Sequence, residues 1–123
     1  MKRTVTMDDG VQFGLGAFET IAVEQGKGIL LSRHLARLGR AAQFLGLGDL
    51  TERGLTMERA AEWIGENCPG HSACKILLTQ ENLVMQTRPN PYGAARYECG
   101  FRMDFSAVRR NETSPLTGHK TLN

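Results

Sequence analysis

The chain has 123 residues and a mass of 13.6 kDa, and 41% of its residues are hydrophobic and 23% charged. This length and composition indicate one globular domain and exclude a collagen-like, coiled-coil or fully disordered chain. Lys and Arg total 15 against 13 Asp and Glu, and the net charge of +2 is too small to indicate a nucleic-acid partner. Apolar runs stay well short of a membrane-spanning helix, so no membrane partner is expected.

The N-terminus and the cysteines predict a cytoplasmic protein. Lys2 and Arg3 are followed by no apolar stretch, so the sequence predicts no secretory signal. The cysteines are odd in number, and they lie at positions 68, 74 and 99. Without a signal peptide, an odd count is typical of reduced thiols rather than disulfides.

Two of these cysteines form a short cluster with a histidine. Cys68, His71 and Cys74 fall within seven residues, and their side chains are of the types that bind zinc. A tetrahedral site needs a fourth ligand, which Cys99 or His119 would supply only if folding brought one of them close. The C-x-x-C pair typical of zinc sites is absent. We therefore expect no metal and interpret the cluster as small thiols around a turn, with a small zinc protein as an alternative.

A β-hairpin is predicted for residues 17–31. Residues 17–24 alternate, which assigns two sets of side chains to opposite faces: Phe18, Thr20 and Ala22, and Glu19, Ile21 and Val23. Residues 25–28 (QGKG) form a turn signal, and residues 29–31 return as a second strand.

Two helices are predicted after the hairpin. Apolar residues recur at helical spacing over 31–45, with Ser32 as the candidate N-cap and Gly46 at the end. The opposite face carries three arginines: Arg33, Arg37 and Arg40. Their spacing alone predicts a solvated basic face. The second helix is predicted for 56–67, before Pro69.

Three more strands are predicted, at 73–79, 83–87 and 97–105. Strands, then two helices, then strands indicate an α+β domain with an antiparallel sheet and its helices on one face. The predicted core consists of Phe18, Ile21, Val23, Leu35, Leu38, Leu45, Ile64, Ile76 and Leu78. The polar stretch from residue 109 onward predicts a tail that does not pack.

Four segments stand out when they are taken together. They are residues 13–20 (FGLGAFET), 34–38 (HLARL), 110–116 (RNETSPL) and 119–123 (HKTLN). In this order they resemble the class IV pyridoxal-phosphate-dependent aminotransferase family, which includes branched-chain aminotransferases, D-amino acid aminotransferases and 4-amino-4-deoxychorismate lyases. The resemblance covers essentially the whole chain. It implies the cofactor pyridoxal 5′-phosphate, a small-molecule amino substrate and a homodimer.

The resemblance also assigns roles to individual residues. Lys120 matches the catalytic lysine that holds the cofactor covalently through its side-chain amine, and Arg37 matches an arginine that binds the cofactor phosphate. Phe18 matches an aromatic or apolar position on the substrate side of the pocket. Arg110 lies near the position where lyase relatives use an arginine for a substrate carboxylate, and Arg109 is an equally arguable choice.

The resemblance further implies that the chain is the N-terminal portion of a two-domain enzyme. Residues 1–108 would form the small N-terminal domain, and residues 109–123 the interdomain linker and the start of a missing large domain that binds pyridoxal phosphate. The parent is predicted to be a 4-amino-4-deoxychorismate lyase of folate biosynthesis, which eliminates pyruvate to give 4-aminobenzoate. A branched-chain or D-amino acid aminotransferase is the alternative enzyme, and a non-catalytic dimerisation or binding module is the alternative of another class. We expect the 123-residue chain alone to be inactive, with Lys120 on an unsupported end in water.

Overall fold

A computed structural model describes residues 4–123 of the protein. Residues 1–3, which enter the interpretation of the N-terminus as lacking a secretory signal, lie outside the described residues. Within this range the strands are β1 (Gly16–Glu24), β2 (Lys27–Gly28), β3 (His71–Thr79) and β4 (Leu83–Pro89). They form one antiparallel sheet in the order β2-β1-β3-β4. The helices are α1 (Asp9–Phe13), α2 (Leu31–Phe44), α3 (Met57–Asn67) and α4 (Ala94–Cys99), and a 3-10 turn covers Pro115–Gly118.

The α+β prediction with an antiparallel sheet is confirmed. The apolar stripes of α2 and α3 pack on one face of the sheet, and together they form a single buried cluster with the inward residues of β1 and β3. No helix among residues 4–123 is long and apolar enough to cross a membrane. The short helices α1 and α4 were not predicted, because neither is long enough to show a helical period.

Seven of the nine predicted core residues belong to the buried cluster: Ile21, Val23, Leu35, Leu38, Ile64, Ile76 and Leu78. The prediction was wrong for Phe18, which is half-buried on the face of the sheet opposite to α2 and α3. Strand alternation sends Phe18 and Ile21 to opposite faces, and only one face carries these helices. Leu45 is half-buried at the margin of the cluster.

The hairpin is shorter than the alternation predicted. Strand β2 covers only Lys27–Gly28; of the residues 29–31 predicted as strand, the first two lead into α2 and Leu31 is its first residue. Gln25 and Gly26 form the turn with φ of 50° and 75°, the left-handed backbone that a two-residue hairpin turn requires. Helix α2 begins one residue before the predicted N-cap Ser32, and Leu30 precedes it in a left-handed conformation.

The prediction of a strand at 97–105 was wrong. Residues 94–99 form α4, and residues 100–105 have no regular structure. Phe101, Met103 and Phe105 alternate with polar residues, which is the pattern of a strand, but they are exposed and pair with no neighbouring strand in the described part of the chain. Alternation alone does not supply the hydrogen-bonding partner that a strand needs.

A buried polar network ties the N-terminus to the turn between β3 and β4. The carboxylate of Asp8 accepts hydrogen bonds from Thr79 Oγ1 at 2.5 Å, the backbone N–H of Glu81 at 2.8 Å and Nδ2 of Asn82 at 3.1 Å. It also caps α1 through the N–H of Val11. The hydrogen bond from Thr79, followed by those from the backbone N–H groups of Glu81 and Val11, lowers the pKa of Asp8 to about 2.

Acid should remove the contribution of Asp8 to stability. Because the pKa of Asp8 is about 2 in the folded chain against an ordinary value of 3.8, the unfolded chain binds more protons between these values. The contribution is therefore complete above about pH 4 and lost as the pH falls through about 2. We expect Asp8→Asn to lower Tm at pH 7 and the difference from the unchanged chain to close toward pH 2.

The control for this measurement is Asp9→Asn, because the neighbouring Asp9 carboxyl is exposed. Its Tm should follow that of the unchanged chain at every pH. A Tm deficit of Asp8→Asn that stays constant from pH 7 to pH 2 would show that the Asp8 charge does not stabilise the fold.

Candidate active site

One face of the sheet, which we call the open face, carries neither α2 nor α3. The strand register aligns its side chains in three rows: Phe18–Leu77–Val84, Thr20–Lys75–Gln86 and Ala22–Ala73–Arg88. Residues after β4 partly cover the last two rows and leave a cavity of about 500 Å³, whose lining includes Thr20, Arg88, Tyr92 and Tyr97. The open face therefore offers both apolar and cationic groups to a ligand.

The C-terminal segment, residues 119–123, runs antiparallel along the start of β1. The N–H of Phe18 donates to the carbonyl of Lys120 at 3.2 Å, the N–H of Leu122 donates to the carbonyl of Gly16 at 2.9 Å, and Ala17 and Thr121 form a bridge. The two-residue β2 pairs only with the end of β1, so this stretch of the β1 edge is free to pair. The prediction that the tail would not pack was wrong for this segment.

Two side-chain contacts hold the same segment. The ring of His119 stacks on Phe44 of α2, with centroids 4.2 Å apart and planes 18° from parallel. Leu122 packs where Gly16 has no side chain: a Cβ at position 16 would lie 2.6 Å from Cδ1 of Leu122 and 2.7 Å from the carbonyl oxygen of Leu78. The absence of a side chain at Gly16 therefore permits the close approach.

Lys120 lies beside Phe18, and both are half-buried. Its Nζ is 5.0 Å from the centre of the Phe18 ring, and Nζ of Lys75 is 4.8 Å from the same centre. The expectation that Lys120 would sit on an unsupported, water-exposed end was therefore wrong. The sequence analysis also missed Lys75, although strand alternation placed it on the face of Phe18 once β1 and β3 were known to pair.

A buried carboxylate lies on the other side of β1. Glu19 is fully buried between the core residues Ala17 and Ile21. Its Oε1 accepts a hydrogen bond from Nε of Arg37 at 2.5 Å, and its Oε2 accepts one from Nη2 of Arg37 at 2.6 Å. Nδ1 of His34 is 2.7 Å from Oε2. We call Glu19, His34 and Arg37 the Glu19 cluster.

Hydrogen bonds and nearby positive charges set the pKa of the Glu19 carboxyl. Burial alone would raise the pKa of Glu19, but hydrogen bonds from Arg37 and His34, with the positive charges of Arg37 and Lys120, lower it below its ordinary value. The hydrogen bond to Glu19 raises the pKa of Arg37. The cluster is thus a buried anion paired with a cation, and the charge of Lys120 also acts on it.

Neither Glu19 nor His34 was assigned a role from the sequence, although both lie within the motifs. A charged residue at a core position of an alternating strand was the available signal for Glu19, and the three-residue spacing to Arg37 on one helix was the signal for His34. The predicted solvated basic face is correct for the exposed Arg33 and Arg40. Arg37 is bound to Glu19, although 46% of its side chain stays exposed.

Residues 16–123 match the model of the family described as Amino-transferase class IV. The chain belongs to this family. The match includes every residue of the C-terminal segment and of the Glu19 cluster. The resemblance inferred from the four motifs is therefore confirmed.

Solved structures of class IV proteins share the fold. The chain is 27% identical to 4-amino-4-deoxychorismate lyase from Pseudomonas aeruginosa, with a TM-score of 0.78, over 100% of this chain and 50% of that one. A protein from Legionella pneumophila subsp. pneumophila str. Philadelphia 1, named as a candidate 4-amino-4-deoxychorismate lyase, is 21% identical, with a TM-score of 0.69, over 100% and 49% of the two chains.

A hypothetical aminotransferase from Mycobacterium tuberculosis in its PLP-bound form is 23% identical, with a TM-score of 0.55, over 74% of this chain and 35% of that one. Similarity at this level of identity, as for the Legionella protein, shows the fold alone. The chain spans about half the length of the two lyase-named structures. No curated protein matches it.

The remaining residues assigned by resemblance to class IV enzymes are Arg110 and its alternative Arg109. Both are exposed, and neither makes a hydrogen bond or ion pair within residues 4–123. The structure therefore brings Lys120 to Phe18, and the charge of Lys120 also lowers the pKa of Glu19, whereas Arg110 has no contact with these residues in the described chain.

The zinc alternative finds no support in the geometry. Cys68 and Cys74 are buried on the helix side of the sheet, where burial raises the pKa of the Cys74 thiol to about 12. His71 lies on the opposite face, and its Nδ1 is 2.5 Å from Oε1 of Glu24. No group of three His, Cys, Asp or Glu side chains suited to a metal occurs among the described residues.

Removal of the Phe44 ring should loosen the C-terminal segment of this class IV chain. A stacked aromatic pair contributes about 0.5–1.5 kcal/mol beyond area burial, so Phe44→Ala should lower the free energy of unfolding by at least that amount. The His119 ring protons should also lose their upfield ring-current shift in NMR spectra. Phe105→Ala, at a fully exposed ring, is the control and should change neither value. Unshifted His119 protons in Phe44→Ala would mean that the stack does not form in solution.

Proposed function

We propose that this chain is the N-terminal part of a class IV enzyme that uses pyridoxal 5′-phosphate, with Lys120 as its catalytic residue. The observation that carries the proposal is the pairing of residues 119–123 with β1, because it holds the Lys120 amine beside Phe18 and close enough for its charge to act on Glu19. Residues 1–108 would be the small domain, and residues 109–123 the linker to a larger domain.

The residues present fit this cofactor. Its aldehyde needs an amine, which Lys120 offers, and its phosphate needs a fixed cation, which Arg37 offers. Arg37 lines a cavity of about 280 Å³ together with Leu30, Arg33, His34 and Arg40, and these side chains carry no negative charge. When bound, pyridoxal phosphate supplies an electron sink for charge that develops on the substrate carbon.

Each of the assigned residues would have a different role in binding or catalysis. Lys120 would hold the cofactor at Nζ and, as a free amine, would take up and return a proton at the same atom. Arg37 would anchor the phosphate, and the Phe18 ring would exclude water on the substrate side. Arg110, or Arg109, would contact a substrate carboxylate after a rearrangement of its exposed segment.

We favour 4-amino-4-deoxychorismate lyase as the activity, with elimination of pyruvate to leave 4-aminobenzoate. The strand residues on the open face include Lys75 and Arg88, and the one strand carboxylate on that face, Glu24, is paired with His71. A cationic face suits this substrate because it bears two carboxylates. The 27% identity to the Pseudomonas lyase also supports the lyase. Branched-chain or D-amino acid transamination is the alternative, since the same lysine and phosphate anchor serve both reactions.

The proposed parent is a cytoplasmic homodimer. Five large apolar side chains near the end of the chain are exposed: Tyr97, Phe101, Met103, Phe105 and Val108. Such a concentration of apolar surface supports coverage by a further domain or a second subunit. Sedimentation of the full-length protein as a strict monomer would contradict the dimer.

The full-length protein, incubated with 4-amino-4-deoxychorismate, tests the activity. Released pyruvate is detected by coupling to lactate dehydrogenase and following the consumption of NADH. Turnover of leucine with 2-oxoglutarate, without pyruvate from the chorismate derivative, would support the transaminase instead. A full-length protein that neither binds pyridoxal phosphate nor turns over either substrate would favour a non-catalytic module.

Lys120→Ala in the full-length protein should abolish nearly all turnover, because the same amine is proposed for both covalent attachment and proton transfer. Cofactor should still bind through its phosphate but should no longer stay with the protein after borohydride reduction and denaturation. Lys27→Ala removes an exposed lysine of β2 and is the control, with attachment and turnover unchanged. Normal covalent retention in Lys120→Ala would refute the assignment of this lysine.

Arg37→Ala in the full-length protein should weaken cofactor binding rather than the chemical step. Loss of a charged hydrogen bond to phosphate costs about 1.5–3 kcal/mol, so Kd for pyridoxal phosphate should rise roughly ten- to a hundredfold. Turnover should largely recover at saturating cofactor. Arg102→Ala, at an exposed arginine, is the control. An unchanged Kd in Arg37→Ala would exclude Arg37 as the phosphate anchor.

A further inference from the structure

The carboxylate of Glu19 occupies a position that strand alternation reserves for apolar side chains. Its neighbours on the same side of β1, Ala17 and Ile21, are fully buried, and so is Glu19 itself. A buried carboxylate is costly unless it is paired with a charge and hydrogen-bonded; here Arg37 supplies the positive charge and two hydrogen bonds, and Nδ1 of His34 makes a further contact. Replacement of a whole buried ion pair by well-packed apolar residues is often neutral for stability, so stability alone does not account for the Glu19–Arg37 pair.

In the Glu19–Arg37 pair, one edge of the guanidinium is hydrogen-bonded to the carboxylate and the opposite end is not. Nε and Nη2 of Arg37 each donate to a different oxygen of Glu19, whereas Nη1 has no hydrogen-bond partner among residues 4–123. Because a guanidinium is planar and rigid, two bonds along one edge also fix the direction of the other end. Arg37, whose side chain is 46% exposed, lines a cavity together with Arg33, His34 and Arg40.

His34 restrains the carboxylate in turn. Its Nδ1 lies 2.7 Å from Oε2 of Glu19, the same oxygen that accepts from Nη2 of Arg37. His34 and Arg37 are three residues apart on α2 and therefore on one face of the helix. Contacts to both oxygens leave the Glu19 carboxylate little freedom to rotate, so its orientation is set before any ligand arrives.

We propose that Glu19 is the positioning residue of the anion site: it fixes the Nε–Nη2 edge of Arg37 and so presents the Nη1 end to a phosphate group. The proposal rests on the proposed function, in which Arg37 binds the cofactor phosphate. A free arginine loses side-chain entropy when it binds an anion, whereas an arginine already held by Glu19 loses little. Glu19 therefore acts through Arg37 and does not itself touch the phosphate.

A comparison of the Kd values for pyridoxal phosphate and pyridoxal distinguishes a positioning role of Glu19 from a purely structural one. Pyridoxal lacks the phosphate of pyridoxal 5′-phosphate, so a group that acts on the phosphate anchor affects only the phosphorylated ligand. In the full-length protein, Glu19→Gln should raise Kd for pyridoxal phosphate about tenfold or more and leave Kd for pyridoxal unchanged. Glu24→Gln, which alters the surface pair with His71, is the control and should change neither. A comparable loss for both ligands in Glu19→Gln would overturn the proposal.

A double-mutant cycle then tests whether Glu19 acts through Arg37. Because the proposed effect of Glu19 needs the guanidinium, Glu19→Gln should weaken phosphate-dependent binding no further when Arg37→Ala is already present. Additive losses would overturn the positioning role. If Arg37→Ala alone leaves Kd for pyridoxal phosphate unchanged, the proposed function fails at its phosphate anchor. If Arg37→Ala raises that Kd and Glu19→Gln does not, the positioning role alone fails.

A measurement without any change at Glu19 covers the case in which Glu19→Gln does not fold. In the full-length apoprotein labelled with ¹⁵N-arginine, Arg37 should give a protected Nε–H signal, assigned by its loss in Arg37→Lys. That signal should persist unchanged while inorganic phosphate is titrated, since phosphate would meet the opposite end of the guanidinium. Broadening or a shift toward the position of free arginine during the titration would show that Arg37 leaves Glu19 for the anion, and would overturn the proposal.

Discussion

The free edge at the start of β1 is the constraint on which the candidate site depends. Strand β2 is only two residues long, so the stretch from Gly16 to Phe18 has no partner on that side from the hairpin, and residues 119–123 pair with it instead. This pairing brings Lys120 to Phe18, and Phe18 belongs to the strand that also carries Glu19. One segment of β1 thus connects the lysine amine on one side with the buried ion pair on the other.

Local pattern in the sequence predicted the frame of the molecule. Alternation identified β1, β3 and β4, and the helical period identified α2 and α3, because burial on one face of each element leaves a repeat in the sequence. Pairing between distant segments leaves no such repeat. The docking of residues 119–123 and the contacts of Lys75 and Lys120 with the Phe18 ring were therefore not predicted, and the alternating residues 97–105 were assigned a strand that has no partner in the described chain.

For the site residues too, the sequence identified those that belong to motifs but not those defined by contacts between distant segments. Lys120, Arg37 and Phe18 were named because they match motifs, and the structure brings all three close to Glu19 or to each other. Glu19 lay within one of the same motifs without being assigned a role, because the spacing of a strand does not indicate which helical cation will meet a buried carboxylate. The roles of Lys120, Arg37 and Phe18 in catalysis and binding stay predictions. The role of Arg110, which lies exposed in a segment without regular structure, also stays a prediction.

Because Gly16 has no side chain, the start of β1 and the C-terminal segment, which are far apart in the sequence, can pack closely. Cδ1 of Leu122 occupies the space that a Cβ at position 16 would fill, so a larger residue at position 16 would displace the side chain of Leu122, whose backbone N–H bonds to the Gly16 carbonyl. A substitution at position 16 therefore affects the packing of residue 122, although about a hundred residues separate the two along the chain. In chimaeras made by recombining this gene with those of its relatives, a crossover between the two positions would join a β1 edge and a lysine-bearing segment that were never selected to fit each other.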